Sequence, residues 1–431
     1  MAYGGGTFSA YNKTMPGAYI NFVSLNSAFA GAQDRGVVAV GLELSWGAEG
    51  ELVTVTGEDL LRSSREMFGE EWGAPAMRPL RELLMNASRV IVCRVNAGGT
   101  QAQSAFGRAK YPGATGNRLT VAVSAEGENV FTVKTYLDSY LVHTQTVSSA
   151  SELSDNDFVI FDRSAQLAES GGAAFTGGAD GEATSAEHAA FLARLEEKSF
   201  NTLALASNDN ILKNLYRQYT VRMRDEVGVK FQTVLYNCAA DHEGIVNVGC
   251  AAAGSDPAGF VYWAAGLNAG TLVNETALNR VYAGEYELRD NYSIGELSEM
   301  ISRGEFTLHR VGDELRVLAD INSLVNTTAE KGEIFKDNRV VRVADRIAAD
   351  TVRVFTEKYL GRIPNNASGR ISLWADIISL LGVLRDGGAI EEFDSDEITV
   401  EAGEDKHAVI VGEAVTVTGS MAKLYMTCVL G

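Results

Sequence analysis

Apolar and polar residues recur in patterns that predict mixed α and β structure along most of the chain. Apolar runs predict strands at 18–23, 37–44 and 89–95. Between the last two of these strands, a 3.6-residue recurrence of apolar positions predicts a helix over 58–68. The chain as far as residue 95 is therefore expected to form a short α/β region behind a polar, glycine-rich leader.

Residues 96–182 are dominated by β-type patterns. Segments rich in β-branched and aromatic residues are separated by turn signals, and they lie at 118–123, 129–136, 140–147 and 157–161. A glycine-rich stretch at 170–182 follows. We interpret this part of the chain as a small β domain inserted between two parts of a larger fold.

From residue 183 onward, predicted strands alternate with predicted helices. Thr184 and Glu187 have the spacing of a helix capping box. The strands that follow are predicted at 202–206, 230–236 and 245–249, with a helix over 211–224 that ends near Gly228. This alternation is typical of an α/β domain with a largely parallel sheet.

Two further helices are predicted between residues 340 and 387. In the first, apolar side chains from Val340 to Tyr359 share one face, and charged side chains that include Arg342 and Asp350 are expected on the opposite, solvent face. This helix should end at Gly361, before Pro364. The second helix runs from Ile371 and ends at Gly387.

The segment 391–405 holds eight acidic side chains and no basic one. It is expected to be a solvated loop or an edge strand. The alternative is an acidic surface that faces a basic patch on a partner.

The last segment, 415–431, reads as a long strand whose two faces are both largely apolar. Leu424, Met426 and Cys428 fall on one face, and Tyr425 and Val429 fall on the other. Its only charged side chain is Lys423, so little guards this edge against pairing with other chains. Either it is a core strand of its own domain, or it completes a sheet in another subunit by strand addition.

The predicted N-terminal strand presents the same choice. It lies behind the glycine-rich leader, and the residues that we expect to carry its contacts are Ala18, Tyr19, Ile20, Phe22 and Val23.

Composition narrows the classes of function. A chain of 431 residues is long enough for two to four domains, and a net charge of −19 disfavours contact with nucleic acid phosphates. The four cysteines show no metal-binding or paired spacing and are expected to be free thiols. We expect no secretion signal at the N-terminus and no apolar run close to the ~20 residues that cross a bilayer.

Catalytic and cofactor motifs are missing from the sequence. The glycine-rich stretches lack the P-loop pattern, and there is no GxSxG nucleophile motif. Asp241, His242 and Glu243 are consecutive, and adjacent residues on a helix or strand do not face one another, so a shared metal is not expected. We therefore expect no catalytic residue, no metal and no cofactor. An α/β hydrolase-like enzyme, suggested by the strand–helix alternation at 183–270, is an alternative class of function.

Several segments, in order along nearly the whole chain, resemble phage tail sheath proteins of prophages and phage-tail-like bacteriocins of Gram-positive bacteria. The similar segments are GGGTFSAYNKTMPGAYINFVS (4–24), DRGVVAVGLELSWG (34–47), AKYPGATGNRLTVAV (109–123), TGGADG (176–181), VYWAAGLNAG (261–270), FKDNRVVRVADRIAADTVRVF (335–355), YLGRIPNN (359–366) and MAKLYMTCVLG (421–431).

The resemblance implies a multidomain α/β and α+β protein whose central α/β domain is subtilisin-like in fold. The domains expected on this basis are an N-terminal arm with a linking strand, a first part of the sheath core, an inserted β-rich domain, the central domain, a C-terminal α+β sheath domain and a C-terminal linking strand, at 1–30, 31–95, 96–182, 183–330, 331–414 and 415–431.

The resemblance also implies partners and a place of action. The subunit would polymerise with itself as stacked hexameric rings around an inner tail tube protein, between baseplate and tail terminator proteins. Its N- and C-terminal strands would be lent to neighbouring copies. It would belong to a virion tail or a phage-tail-like particle assembled in the bacterial cytoplasm, and contraction would drive the tube through a target cell envelope. Another virion structural protein is the remaining alternative.

Overall fold

The computed structural model describes residues 35–127, 129–254 and 256–429. The strands are β1 (Val37–Leu42), β2 (Leu52–Val55), β3 (Arg89–Arg94), β4 (Gln103–Ser104), β5 (Gly107–Ala109), β6 (Leu119–Gly127), β7 (Val130–Leu137), β8 (Tyr140–Val147), β9 (Val159–Phe161), β10 (Ser170–Ala174), β11 (Thr202–Leu205), β12 (Gln232–Tyr236), β13 (Ile245–Val248), β14 (Glu305–Phe306), β15 (Leu308–Val311), β16 (Glu314–Val317), β17 (Thr399–Ala402) and β18 (Val409–Gly412). The α-helices are α1 (Gly57–Phe68), α2 (Arg78–Leu84), α3 (Ser185–Leu195), α4 (Asn210–Val221), α5 (Phe260–Gly270), α6 (Ile294–Ser302), α7 (Asn338–Val354) and α8 (Ala367–Asp386).

These elements form two compact units. The N-terminal unit contains residues 40–81 and 89–196, and the C-terminal unit contains the described parts of residues 1–39, 82–88 and 197–431. Mixed α/β architecture over several sheets confirms the general fold class that the sequence predicts.

The N-terminal unit is built on antiparallel strands. One sheet has the order β10-β6-β7-β8 and another has the order β4-β5-β9. Alternate residues of β6 and β7, such as Val121 and Val133, enter a core that also contains Trp46. The indole of Trp46 stacks on Phe158 with a ring-centroid distance of 5.8 Å. The β-rich pattern of 96–182 therefore reflects a real antiparallel core.

The C-terminal unit contains the parallel strands β11, β12, β13 and β14, which pair in chain order. Helix α5 is buried along its whole length, and it packs on β11 and β12. Gly266 and Gly270 of α5 lie against the backbone carbonyls of Leu83 and Asn86 at distances that leave no room for a Cβ atom. These two glycines explain why a small residue recurs in the VYWAAGLNAG segment.

Helix α7, helix α8 and the β17–β18 hairpin share a second core of the same unit. Val343 and Ile347 of α7, together with Leu373 and Ile377 of α8, belong to one buried apolar cluster. The antiparallel hairpin contributes Val400 and Val409, which are partly buried against that cluster.

A buried ion-pair network fixes α7. The Arg342 guanidinium lies 2.6 Å from Asp320, and both side chains are almost completely buried. Asn338 donates to the same carboxylate at 3.0 Å. Burial alone would raise the pKa of Asp320, but the charge and hydrogen bond of Arg342 outweigh it and hold that pKa below its usual value. The carboxylate is therefore charged, and it depends on Arg342.

The expectation of a solvent-facing polar side for this helix is wrong at two positions. Arg342 and Asp350 are 1% and 6% exposed, because each forms ion pairs that replace water. The periodicity of a helix places arginine and aspartate on its surface, because it does not reveal their ion-pair partners. Asp320, the partner of Arg342, lies outside this helix.

The expectation that no apolar run approaches the length of a membrane span is also wrong. By length and composition alone, α8 is long and apolar enough to cross a bilayer. One face of α8 is a core face, with Leu373, Ile377, Leu381 and Leu384 buried. Core helices pass the same test, so this finding is weak support for a membrane role.

Replacing Arg342 with methionine should lower the free energy of unfolding by about 3–5 kcal/mol, because it leaves Asp320 buried without its cation. Urea-induced unfolding of the purified chain followed by circular dichroism measures the change.

The matched control is Arg303→Met, which removes an exposed guanidinium from Glu299 and Glu305. This control should change the free energy of unfolding by no more than about 0.5 kcal/mol. Equal effects of the two substitutions would show that the Arg342 network does not stabilise the unit.

Candidate functional site

The C-terminal segment, defined here as residues 419–429, is apolar and exposed. Leu424, Tyr425 and Val429 are 87–89% exposed, and Met426 is 79% exposed. Cys428 is an exposed free thiol. Exposed apolar side chains gathered in one segment usually mark an interaction site.

The strand predicted over 415–431 is not formed within the single chain as far as residue 429. Val417 bridges Ile390, and Thr418 donates to the Ala389 carbonyl at 3.2 Å. Residues 419–429 form neither helix nor strand. A strand with two apolar faces needs a sheet to pair with, and the described residues of this chain offer none there.

The predicted residues of the N-terminal strand are outside the described part of the chain. They are Ala18, Tyr19, Ile20, Phe22 and Val23. Their role, like that of Leu424, Tyr425, Met426, Cys428 and Val429, stays a prediction.

The β17–β18 hairpin is a sheet of only two strands. Register runs from Thr399 opposite Gly412 to Ala402 opposite Val409. Each strand pairs on one side only, so the hairpin has two outer edges, and Val411 on β18 is 37% exposed. Unpaired edges of this kind accept additional strands. The sequence predicted a loop or an edge strand within 391–405, and β17 is such an edge strand.

Contacts within the C-terminal unit connect Arg35, its first described residue, with Thr418, which lies just before the C-terminal segment. The Arg35 guanidinium donates to the Thr271 carbonyl at 3.0 Å. Three residues further, Asn274 donates to the Gly387 carbonyl at 3.0 Å. Ala389, two residues beyond Gly387, pairs with Thr418. These contacts link Arg35 to Thr418, just before the C-terminal segment, and we call the residues that make them the exit corner.

A cluster of titratable groups lies at another place in the same unit. Asp225, His242 and Glu243 bring ligand-type atoms within 4.8 Å of one another. Asp225 comes from the π-helical turn that ends α4, and the other two come from the turn before β13. The expectation that adjacent residues do not face one another is wrong for His242 and Glu243, because they lie in a turn and not in a helix or strand.

Protein groups already satisfy most of this cluster. Nδ1 of His242 accepts the Gly244 N–H at 2.9 Å, so the ring proton lies on Nε2, which is 3.0 Å from Asp225. Glu243 accepts from the Lys331 ammonium at 2.7 Å. Burial would raise the pKa values of Asp225 and Glu243, but the interactions with His242, Arg224 and Lys331 outweigh it and hold both pKa values at about 2.

A single metal ion fits this geometry poorly. Asp225 lies at the Nε2 edge of the imidazole, and Glu243 lies 3.8 Å from Nδ1. The two ring nitrogens point away from each other, so one ion cannot bind the ring and both carboxylates along these directions. We interpret the cluster as an ion-pair network. Sequence reasoning missed Asp225 and Lys331 because they are distant in sequence from His242.

Comparison with known proteins gives the class first: a structural protein of phage tails. Four family models match consecutive parts of the chain. They are the tail sheath protein Gp18 domain III N-terminal region (35–95), the phage tail sheath protein beta-sandwich domain (96–180), the phage tail sheath protein central domain (181–323) and the phage tail sheath C-terminal domain (330–431).

Full-length relatives agree with these matches. The chain is 30% identical to the phage-like element PBSX protein XkdK of Bacillus subtilis, with 98% of each chain covered. It is 34% identical to the sheath tail protein of Desulfitobacterium hafniense, whose crystal structure matches with a TM-score of 0.83 over 95% of this chain and 99% of that chain. The chain belongs to the phage tail sheath family, which is structural and not enzymatic.

The helical sheath of the anti-feeding prophage in its contracted state shares the fold at 12% identity. Its TM-score is 0.55, with 96% of this chain and 99% of that chain covered. Membership of the sheath family makes this chain a component of a phage tail or a tail-like particle.

Among the lysines and arginines that the structure describes, trypsin should cut the isolated subunit first after Lys423, because residues 421–429 are exposed and form no helix or strand. Mass spectrometry should show loss of the residues beyond Lys423 while the melting temperature of the remaining body stays unchanged.

Lys423→Gln is the matched control, and it should remove this cut alone. Slow cleavage after Lys423, at the rate seen for sites within helices, would mean that the C-terminal segment is packed in the free subunit.

Proposed function

We propose that this chain is the subunit of a contractile sheath, polymerising as stacked hexameric rings around an inner tube and shortening to drive that tube through a cell envelope. The observation that carries the proposal is the exposed apolar segment 421–429 in a chain whose own β17–β18 sheet has only two strands. A donor strand without a sheet and a sheet with open edges are complementary between copies.

Strand addition is the proposed link between subunits. Leu424, Tyr425, Met426, Cys428 and Val429 of one copy, and Ala18, Tyr19, Ile20, Phe22 and Val23 of another, would extend the hairpin of a third. Each main-chain hydrogen bond would contribute a net ~0.5–1.5 kcal/mol. Burying the apolar side chains would add ~25 cal/mol per Å².

The exit corner supports this arrangement. The N-terminal residues join the described chain at Arg35, and the C-terminal segment leaves after Thr418, with Thr271, Asn274 and Gly387 between them. We infer that both arms start from the exit corner. Two arms that start together can reach neighbouring copies while the rest of the subunit stays folded.

Strand pairs that persist in the extended and contracted states contribute equally to both, so they cannot supply the energy of contraction. That energy would come from contacts that differ between the states. The acidic stretch 391–405, which includes β17, is a candidate for contacts with basic surfaces of neighbouring copies.

The finer features of the proposal are those that the sequence resemblance implies. They are the subtilisin-like description of the region around β11–β14, the domain limits given above, the inner tube, baseplate and tail terminator as partners, and assembly in the host cytoplasm. The alternative of a hydrolase-like enzyme has no support from the family, which is structural.

Replacing Leu424, Tyr425, Met426 and Val429 together with serine should leave a folded monomer that forms no sheath, because the donor strand loses its apolar faces. Negative-stain electron microscopy of the purified protein should show helical cylinders for the unchanged chain and dispersed particles for the variant.

The matched control replaces Leu61 and Ile211, which are 70% and 69% exposed on helices α1 and α4, with serine. Cylinders should form as in the unchanged chain. Cylinders from the four-serine variant would refute strand donation by this segment.

Deletion of residues 1–24 tests the other arm. It should also give a folded monomer, with unchanged circular dichroism, that does not polymerise, because the second donor strand is missing. Long sheaths from this truncated chain would contradict the proposal, and thin tubes in place of sheaths would point to a tube protein.

A further inference from the structure

An exposed stretch of the C-terminal unit crosses the junction between the regions that match the central and the C-terminal sheath families. Those regions end at 323 and begin at 330. Residues 325–330, which we call the strap, form neither helix nor strand, and all of them are exposed. Leu324 and Phe335 are buried on either side of the strap. Apolar contacts therefore hold the flanks of the strap, and polar contacts hold its exposed residues.

Asp241 holds the first half of the strap. Its carboxylate accepts the backbone N–H groups of Val325 at 2.7 Å and of Asn326 at 2.8 Å. The Asn326 side-chain amide donates to the second carboxylate oxygen at 2.8 Å. Asp241 has a φ of 53°, in the left-handed region that aspartate tolerates better than most residues. Three donors on one charged carboxylate form a strong polar contact.

The next two residues complete the contact. His242 exchanges hydrogen bonds with Ser323, through its N–H at 3.2 Å and its carbonyl at 3.0 Å. Glu243 accepts from Lys331, just beyond the strap, at 2.7 Å. The His242 ring is held in turn by Asp225 and the Gly244 N–H. Residues 241–243 thus contact the strap and both of its flanks.

We propose that Asp241, His242 and Glu243 form a clasp whose role is to hold the strap closed, and that the clasp opens locally without unfolding of the unit. Local opening follows from the contrast in burial. Opening the strap would expose little additional apolar surface, whereas strands β11 to β13 are buried. Asp241 and Lys331 position the strap. The proposal does not depend on sheath assembly.

Amide hydrogen exchange of the full chain, followed by mass spectrometry of peptides that cover 324–332 and β11, tests the clasp. Asp241→Asn places an amide against the Asn326 amide, and Lys331→Met removes the cation from Glu243. Each variant should exchange the 324–332 amides at least about tenfold faster, with β11 unchanged.

Reversing the polar pair provides the rescue. Asn326→Asp alone places two carboxylates together and should also accelerate exchange, whereas D241N/N326D restores an amide–carboxylate pair and should return it towards the original rate. Glu333→Gln is the matched control, since it removes an exposed ion pair with Lys336 in the same part of the chain and should change nothing.

Two results would overturn the proposal. One is unchanged exchange of 324–332 in both D241N and K331M, and the other is equal acceleration in the strap and β11, which would mean that these residues only stabilise the unit globally.

Discussion

The buried pair of Arg342 and Asp320 constrains how α7 packs in the C-terminal unit. A guanidinium and a carboxylate removed from water are tolerated only in a nearly fixed geometry, and this pair joins α7 to the chain just before the strap. Helix α8 packs on α7, and the hairpin packs on the core that the two helices share. The C-terminal segment and the β17–β18 hairpin, which we propose as donor and acceptor, therefore belong to the same unit as this ion pair.

Local periodicity was sufficient to predict most helices and strands of this protein. The ends of α1, α8, β3 and β8 lie within a few residues of the predicted positions, because each has a clear apolar repeat and a glycine or turn signal beside it. Periodicity failed where polar groups are buried in pairs. Arg342 and Asp350 have ion-pair partners, and nothing in the spacing of α7 indicates that water is absent there.

The candidate site, too, could be predicted only in part from the sequence. An apolar, nearly uncharged final segment could be recognised from its sequence, and the exposed side chains at 421–429 are those that the pattern singled out. The proposed acceptor, the β17–β18 hairpin, is harder to identify from sequence, since each strand has four residues and the acidic residues around them resemble a loop. Asp225 and Lys331 are brought to His242 by the tertiary fold alone, so no motif could have indicated them.

The exit corner has a mechanical consequence. If neighbouring copies pull on both arms, the tension passes from Arg35 through Thr271, Asn274 and Gly387 to Thr418, within a single unit of the chain. The residues that form these hydrogen bonds all belong to the C-terminal unit. Insertions and deletions in the N-terminal unit could then accumulate in evolution, or be engineered, while the path that transmits the tension stays intact.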